Sequence, residues 1–211
     1  MNWWQIALLC IGCLVGFVLL FHLVIVRIVR HIWKFPIPQW AVDFIGGPRR
    51  AKVQPPELMV EWMGIKPGMK CLEVGPGSGL YTFEVAKSSG EVTAIDIEPK
   101  VIERLNERAS ERGVKNLKGE VANVYSLPYP DKSFDLAYMM ACLPEIPDHV
   151  RALKEIKRVL KDDGVYCDSE LWPDPDYPFA STVVAWAEKA GLEKVDVKGN
   201  WLYYLLRFRK K

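Results

Sequence analysis

Apolar positions along the chain follow two regimes. From Ile6 to Val26 they are nearly continuous, 21 residues without a charge and with one histidine. As a helix this run spans about 31 Å, close to the hydrocarbon thickness of a bilayer. It predicts a retained transmembrane anchor. A cleaved signal peptide fits less well, because no basic stretch precedes the run and no small-x-small site follows it. From Lys66 onward the apolar runs shorten and alternate between strand and helix periods. "KCLEV" predicts a strand, "GLYTFEVAKSS" a helix closed by Gly90, "EVTAIDI" a strand and "PKVIERLNERASERG" a helix ending at Gly113. "NLKGEVA" and "FDLAYMMAC" predict two strands. "HVRALKEIKRVLKDDG" predicts an amphipathic helix with Val150, Leu153, Ile156, Val159 and Leu160 on one stripe. "VYCDSEL" is a fifth strand, and "FASTVVAWAEKAG" a last helix before "EKVDV", the turn "KGN" and "WLYYLLRFR". Alternation of this kind implies an α/β fold with a parallel sheet. Its last two strands, joined by three residues, must be antiparallel.

Between the two regimes lies "FPIPQWAVDFIGGPRRAKVQPP", with five prolines and two glycines. It reads as a linker or as a partly helical interfacial segment, with Phe35, Trp40, Phe44 and Ile45 as its apolar side. "ELMVEWMG" after it predicts a short helix begun by Pro55 and Pro56 and ended by Gly64. Met59, Trp62 and Met63 share one face of it, a face expected to pack on the core. The chain thus divides into 1–34, an anchor with a basic flank; 35–64, an interfacial linker and short cap helix; and 65–211, the α/β domain.

Charge adds orientation. No Lys or Arg precedes the span, whereas Arg27, Arg30 and Lys34 follow it. The positive-inside rule puts the N-terminus outside and the rest in the cytoplasm, a single-pass arrangement with the lipid bilayer as partner. Trp3, Trp4 and Trp33 fall where interfacial aromatics belong. A formal net charge of +2 gives no reason to expect nucleic acid as a partner. Of the five cysteines, Cys10 and Cys13 lie within the span, and Cys71, Cys142 and Cys167 lie in predicted core segments as free thiols. No metal site is expected, since the C-x-x-C pair lacks two further ligands.

The chemistry gathers in "CLEVGPGSGLYTFEVA". Glycines between a strand and a helix let backbone approach a ligand at the helix N-terminus, for either of two adenosine cofactor classes. A dinucleotide site needs a third glycine at position 80, which is Leu80. The sequence instead reads Glu73-x-Gly75-x-Gly77-x-Gly79. Asp96, 21 residues after Gly75, ends the next strand and can accept both ribose hydroxyls of either cofactor.

The Glu73–Gly79 spacing resembles motif I of class I S-adenosylmethionine (SAM)-dependent methyltransferases. The run "SLPYPDKSFDLAYMMACLPEIPDHVRALKEIKRVLKDDGVYCDSE" is similar to a second stretch of that family at Leu127, Pro128, Phe134, Asp135, Arg158, Leu160 and Gly164. The resemblance covers residues 65–211 and is nearest the small quinone-biosynthesis group. It implies a Rossmann-like, seven-stranded sheet whose last strand inserts antiparallel, preceded here by one transmembrane helix. It implies SAM as cofactor. Glu73, Gly75, Gly77 and Gly79 would hold its methionine and ribose moieties, and Asp96 the ribose hydroxyls. Ile97 would lie on the adenine face, Asn123 would accept from the adenine amino group in place of the family's acidic residue, and Val124 would offer its backbone N–H. Glu145 and His149 are the candidate catalytic acid–base residues, although the family's His-Glu pair is Pro144-Glu145 here, and His149 is better placed to start a helix. Cys142 is a further candidate thiol. "MMAC" lacks the N/D-P-P-Y signature of amino-group methylation on DNA bases or glutamine. The expected activity is methyl transfer to a small apolar or lipid-associated acceptor. The open alternatives are a tethered methyltransferase for a soluble molecule and a non-catalytic SAM-binding scaffold.

Overall fold

A computed structural model of the chain describes residues 2–26, 28–29, 47–172 and 174–211. The basic flank Arg27, Arg30 and Lys34, the aromatics Trp33, Phe35, Trp40 and Phe44, and Ile45 lie outside the described residues. Helix α1 (Trp3–Leu20) continues as a π-helix over Phe21–Val26. Together they make 24 residues of mean hydropathy 2.9, none buried against protein, a helix long and apolar enough to cross a membrane. Cys10 and Cys13 are exposed on it.

Helix α2 (Pro48–Val53) realises the partly helical alternative for the end of the linker, and α3 (Pro56–Met63) follows at once. Gly64 closes α3 at φ +76°, a left-handed cap that a side chain would strain. As expected, Met59 and Met63 are buried, and Trp62 stacks on Tyr203 at a ring distance of 6.0 Å. Then come β1 (Lys70–Val74), α4 (Thr82–Ser88), β2 (Glu91–Asp96), α5 (Pro99–Glu111), β3 (Leu117–Val121) and β4 (Phe134–Met140). The chain closes with α6 (His149–Val159), β5 (Leu160–Leu171), α7 (Ala180–Lys189), β6 (Leu192–Gly199) and β7 (Tyr203–Lys210).

The seven strands form one sheet in the order β3-β2-β1-β4-β5-β7-β6, with β7 antiparallel to both neighbours. This is the doubly wound arrangement expected, including the inserted last strand. One boundary differs. The stripe of α6 was expected to run through "KDDG", but the helix stops at Val159 and Leu160 already pairs with Phe134. The reason is a competing set of partners: Lys161 Nζ donates to Asp135 Oδ1 at 2.6 Å, and Leu160 turns extended with ψ 144°.

Apolar side chains of the sheet feed two large cores and a smaller cluster of Phe83, Ala94, Leu105 and Ala109. One lies under α6 and α7, with Leu72, Met139, Leu153, Ile156, Tyr166 and Phe208. The other lies under α3 and α4, with Met59, Met63, Val85, Tyr138 and Cys167. Arg158 fastens the segment before β4. Its guanidinium donates to the Leu127 carbonyl at 3.0 Å, the Tyr129 carbonyl at 2.8 Å and Asp131 Oδ1 at 2.7 Å. Glu155 Oε1 meanwhile accepts from the Leu127 N–H at 2.8 Å. The spacing of "LPYPD" to "E-x-x-R" is therefore a loop clamp, which frames one side of the cleft described next.

Candidate active site

Strands β1, β2, β4 and β5 run parallel, so their C-terminal ends share one edge of the sheet. Ligands of open α/β sheets bind at that edge. Here β1 releases into Gly75, whose N–H donates to the Ile95 carbonyl at 2.9 Å with φ +73°. A side chain at this position would be doubly opposed: left-handed backbone disfavours it, and a Cβ would overlap Cys142 Sγ. Gly77 and Gly79 also have positive φ, 53° and 82°.

Glu73 is 1% exposed and accepts a hydrogen bond from the Tyr138 hydroxyl at 3.0 Å. Burial pushes its carboxyl from the ordinary 4.5 up to about 7, against the opposing pull of hydrogen bonding and of Arg50. Asp96 ends β2 with Oδ1 accepting from the Glu98 N–H at 2.9 Å, and burial raises its carboxyl too. Beside it Ile97 is 62% exposed, and Val121, paired with Asp96 across β2–β3, is 55% exposed. Two apolar side chains left in solvent at the strand ends are a ready face for a flat heteroaromatic ring. Val121 was not among the residues singled out from the sequence; its register opposite Asp96 is the signal that identifies it.

Asn123 and Val124 follow on the same edge, held there by the Ala122 N–H donating to the Asp96 carbonyl at 3.0 Å. Asn123 Oδ1 accepts from the Tyr125 N–H at 2.9 Å, so one of its lone pairs is engaged locally. The side chain of Val124 is buried in the core.

The acid–base candidates separate. Glu145 closes a short 3-10 turn, Leu143–Glu145, and lies within electrostatic reach of Cys142 and Glu170. His149 begins α6 and stacks on Trp186 of α7, with ring centroids 3.8 Å apart and planes 6° from parallel. The imidazole is thus packed between two helices. Cys142 is not a ready nucleophile, because burial and surrounding carboxylates push its thiol well above its usual range. Cys71 is likewise pushed to about 12 by burial.

A cross-link unforeseen in the sequence ties the end of α2 to β5 and to the start of α4. Gln54, fully buried, donates through Nε2 to Ser169 Oγ at 2.7 Å and accepts from the Tyr81 hydroxyl at 2.6 Å. Arg50 Nε donates to the same hydroxyl at 3.2 Å, and its guanidinium sits 5.2 Å from the Tyr81 ring centroid. The segment that follows the apolar span is thereby pinned to the cofactor edge.

Residues 72–167 match a family described as methyltransferase domain. A 2-phytyl-1,4-naphtoquinone methyltransferase of Nostoc sp. (strain PCC 7120) is 37% identical over 112 residues, 51% of this chain and 49% of that protein. A demethylmenaquinone methyltransferase of Staphylococcus aureus (strain MRSA252) is 40% identical over 106 residues, 49% of this chain and 43% of its own. Squalene methyltransferase 1 of Botryococcus braunii is 37% identical over 121 residues, 56% of this chain and 32% of its own. The chain spans half or less of the length of these relatives. Among solved structures, a SAM-dependent methyltransferase from Aquifex aeolicus superposes with TM-score 0.77 at 23% identity, over 82% of this chain and 98% of that one. The [4+2]-cyclase SpnF has the same fold, at TM-score 0.68 and 23% identity over 74% of this chain and 79% of its own.

Residues 72–167 thus match a methyltransferase domain, and the chain has the fold of a SAM-dependent methyltransferase, so SAM is the molecule against which the site is tested. The residues present fit that molecule: a glycine turn with no room for a Cβ, a carboxylate at the end of β2 and an apolar pair beside it.

Proposed function

We propose that this protein is a membrane-anchored methyltransferase that transfers the methyl group of SAM to an apolar acceptor of the quinol or isoprenoid kind. The observation that carries the reading is the glycine turn at Gly75, set between buried Glu73 and the Asp96 carboxylate at the C-terminal edge of the sheet. SAM supplies an activated methyl on a sulfonium sulfur. The protein's part is to hold it, align the acceptor and exclude water. Gly75, Gly77 and Gly79 give it backbone, Asp96 the ribose partner, and Ile97 with Val121 an apolar face. Glu73, fixed by Tyr138, braces the turn from beneath.

An apolar acceptor is supported by three features. The named relatives act on a phytyl naphthoquinone, a menaquinone precursor and squalene. The N-terminal helix is long and apolar enough to hold the domain where such molecules dissolve. Trp172, Tyr177 and Trp201 form a ring-contacting group at the end of β5, with Trp172 and Trp201 centroids 5.8 Å apart and the Tyr177 hydroxyl donating to the Trp201 carbonyl.

The test is reconstitution of the full-length protein in liposomes with methyl-labelled SAM and reduced 2-phytyl-1,4-naphthoquinone or squalene. Labelled product in the organic phase supports the reading. SAM binding with no turnover of either acceptor, or of a native lipid extract, leaves the non-catalytic alternative in its place. Equal turnover of a soluble acceptor without liposomes favours the merely tethered enzyme.

A further inference from the structure

A central strand of a parallel sheet ordinarily presents apolar side chains to both layers. Strand β5 instead carries Asp168 and Glu170, 0% and 1% exposed, at alternate positions and so on one face with Tyr166. The Tyr166 hydroxyl donates to Asp168 Oδ1 at 2.9 Å. Asp168 Oδ2 and Glu170 Oε1 have no hydrogen-bond partner among the described residues. A buried oxygen left unpaired costs about 1–3 kcal/mol, so a fold that keeps two of them side by side is holding them for a group absent here.

Their surroundings come from four directions. On β7, Tyr204 stands opposite Glu170 in register, and its hydroxyl is spent on the Pro178 carbonyl at 2.8 Å. Tyr177 and Asp174 approach from the loop after β5, and both feel Glu170. From the end of β4 come Cys142 and Glu145, and from α2 the cation Arg50. Cys142 is also within reach of Asp96 and abuts Gly75. Cys142 thus abuts the glycine turn and lies within electrostatic reach of both members of the acid pair. Burial pushes both carboxyls up, and at Glu170 the neighbouring Asp168 adds to the rise.

We propose that Asp168 and Glu170 share one proton and form the acid–base site for the acceptor, whose phenol- or hydroquinone-type hydroxyl donates to their unpartnered oxygens. The inference rests on the methyltransferase reading above. The acceptor's O–H bond breaks, its proton passes to the pair, and the electron pair stays on the acceptor oxygen. Delocalised to the adjacent ring carbon, that pair forms the new bond to the methyl carbon as the carbon–sulfur bond gives its electrons to sulfur. The hydrogen on that carbon then leaves as a proton to solvent, its bonding pair restores the aromatic ring, and the acceptor oxygen takes back the proton held by the pair. The site thus fills the role that the sequence assigned to Glu145 or His149.

The test uses the full-length protein in liposomes with SAM and reduced 2-phytyl-1,4-naphthoquinone. Glu170→Gln and Asp168→Asn should each lower kcat 10²- to 10⁴-fold, the usual worth of a general base, while the Kd for SAM by calorimetry stays within threefold. The acid limb of the wild-type kcat/KM profile should vanish in Glu170→Gln. A second readout needs only the wild type: with S-adenosylhomocysteine bound, the quinol should show the red-shifted absorption of its anion. Variants within threefold of wild type with the acid limb intact, or a bound quinol that stays neutral, overturn the assignment while leaving the enzyme a methyltransferase. Wild-type protein that binds SAM but turns over neither the quinol nor any species of a native lipid extract overturns the functional reading itself.

Discussion

Replacing Gly75 by alanine tests the geometry of the cofactor turn most sharply. Its φ of +73° costs an L-residue about 1–2 kcal/mol. The added methyl also overlaps Cys142 Sγ, which sits on a packed turn after β4, and overpacking of this kind costs about 1–3 kcal/mol. The sum is about 2–5 kcal/mol, a fall in melting temperature on the order of 10 °C for a chain of this size. Thermal and urea unfolding of full-length protein in detergent, followed by tryptophan fluorescence, reads both. The second half of the prediction is a rescue. In Gly75→Ala/Cys142→Ala the Sγ overlap is gone, and only the backbone strain and a 3.0 Å approach to the Cys142 Cβ remain. The double-mutant cycle should return a favourable coupling of about 1–3 kcal/mol. A single variant that loses less than about 0.5 kcal/mol, the range of a neutral surface change, or a cycle with no coupling, refutes this geometry.

Three further outcomes follow. Asp96→Ala should weaken SAM about 10- to 100-fold by calorimetry, the worth of a hydrogen bond to a charged group, with unchanged melting of the cofactor-free protein. Glu73 binds its proton more tightly in the folded chain than in the unfolded one, since its carboxyl is lifted from 4.5 to about 7. Its contribution is complete below pH 4.5 and is lost as pH rises to about 7, so Glu73→Gln should flatten that fall in urea midpoints between pH 5 and 8. Gln54→Ala removes one hydrogen bond each from Ser169 and Tyr81, whose hydroxyls keep the Tyr204 carbonyl and Arg50. It costs about 1–3 kcal/mol for the two bonds together, and should open the Arg49–Lys52 stretch to trypsin while α3 onward stays resistant.

The order of strands was readable because each element carries its own period, and the three residues "KGN" leave the last pair no parallel option. Glu73, the spaced glycines and Asp96 were readable as a cluster at strand ends, and the structure sets them at the C-terminal ends of β1 and β2. Three things were not. The end of α6 was hidden because "LKDD" continues the helical stripe, and only pairing with Phe134 and Asp135 of a distant strand overrules it. The Gln54 cross-link joins positions 115 apart, and no local pattern announces it. His149 and Glu145 drew notice as acid–base types near β4, yet His149 is spent on stacking with Trp186. The acid pair in "CDSEL" was legible in principle, since two carboxyls on one face of a central strand are an anomaly.

The central claim is methyl transfer to an apolar, membrane-dissolved acceptor. Its most direct measurement is incubation of the reconstituted full-length protein with methyl-labelled SAM and a native membrane lipid extract, followed by separation and mass analysis of the labelled species. The account predicts label in an organic-phase quinol or isoprenoid heavier by one methylene unit, and about 10- to 100-fold less of it with Asp96→Ala at subsaturating SAM. Label recovered only in water-soluble product, or SAM bound without any labelled product, contradicts it.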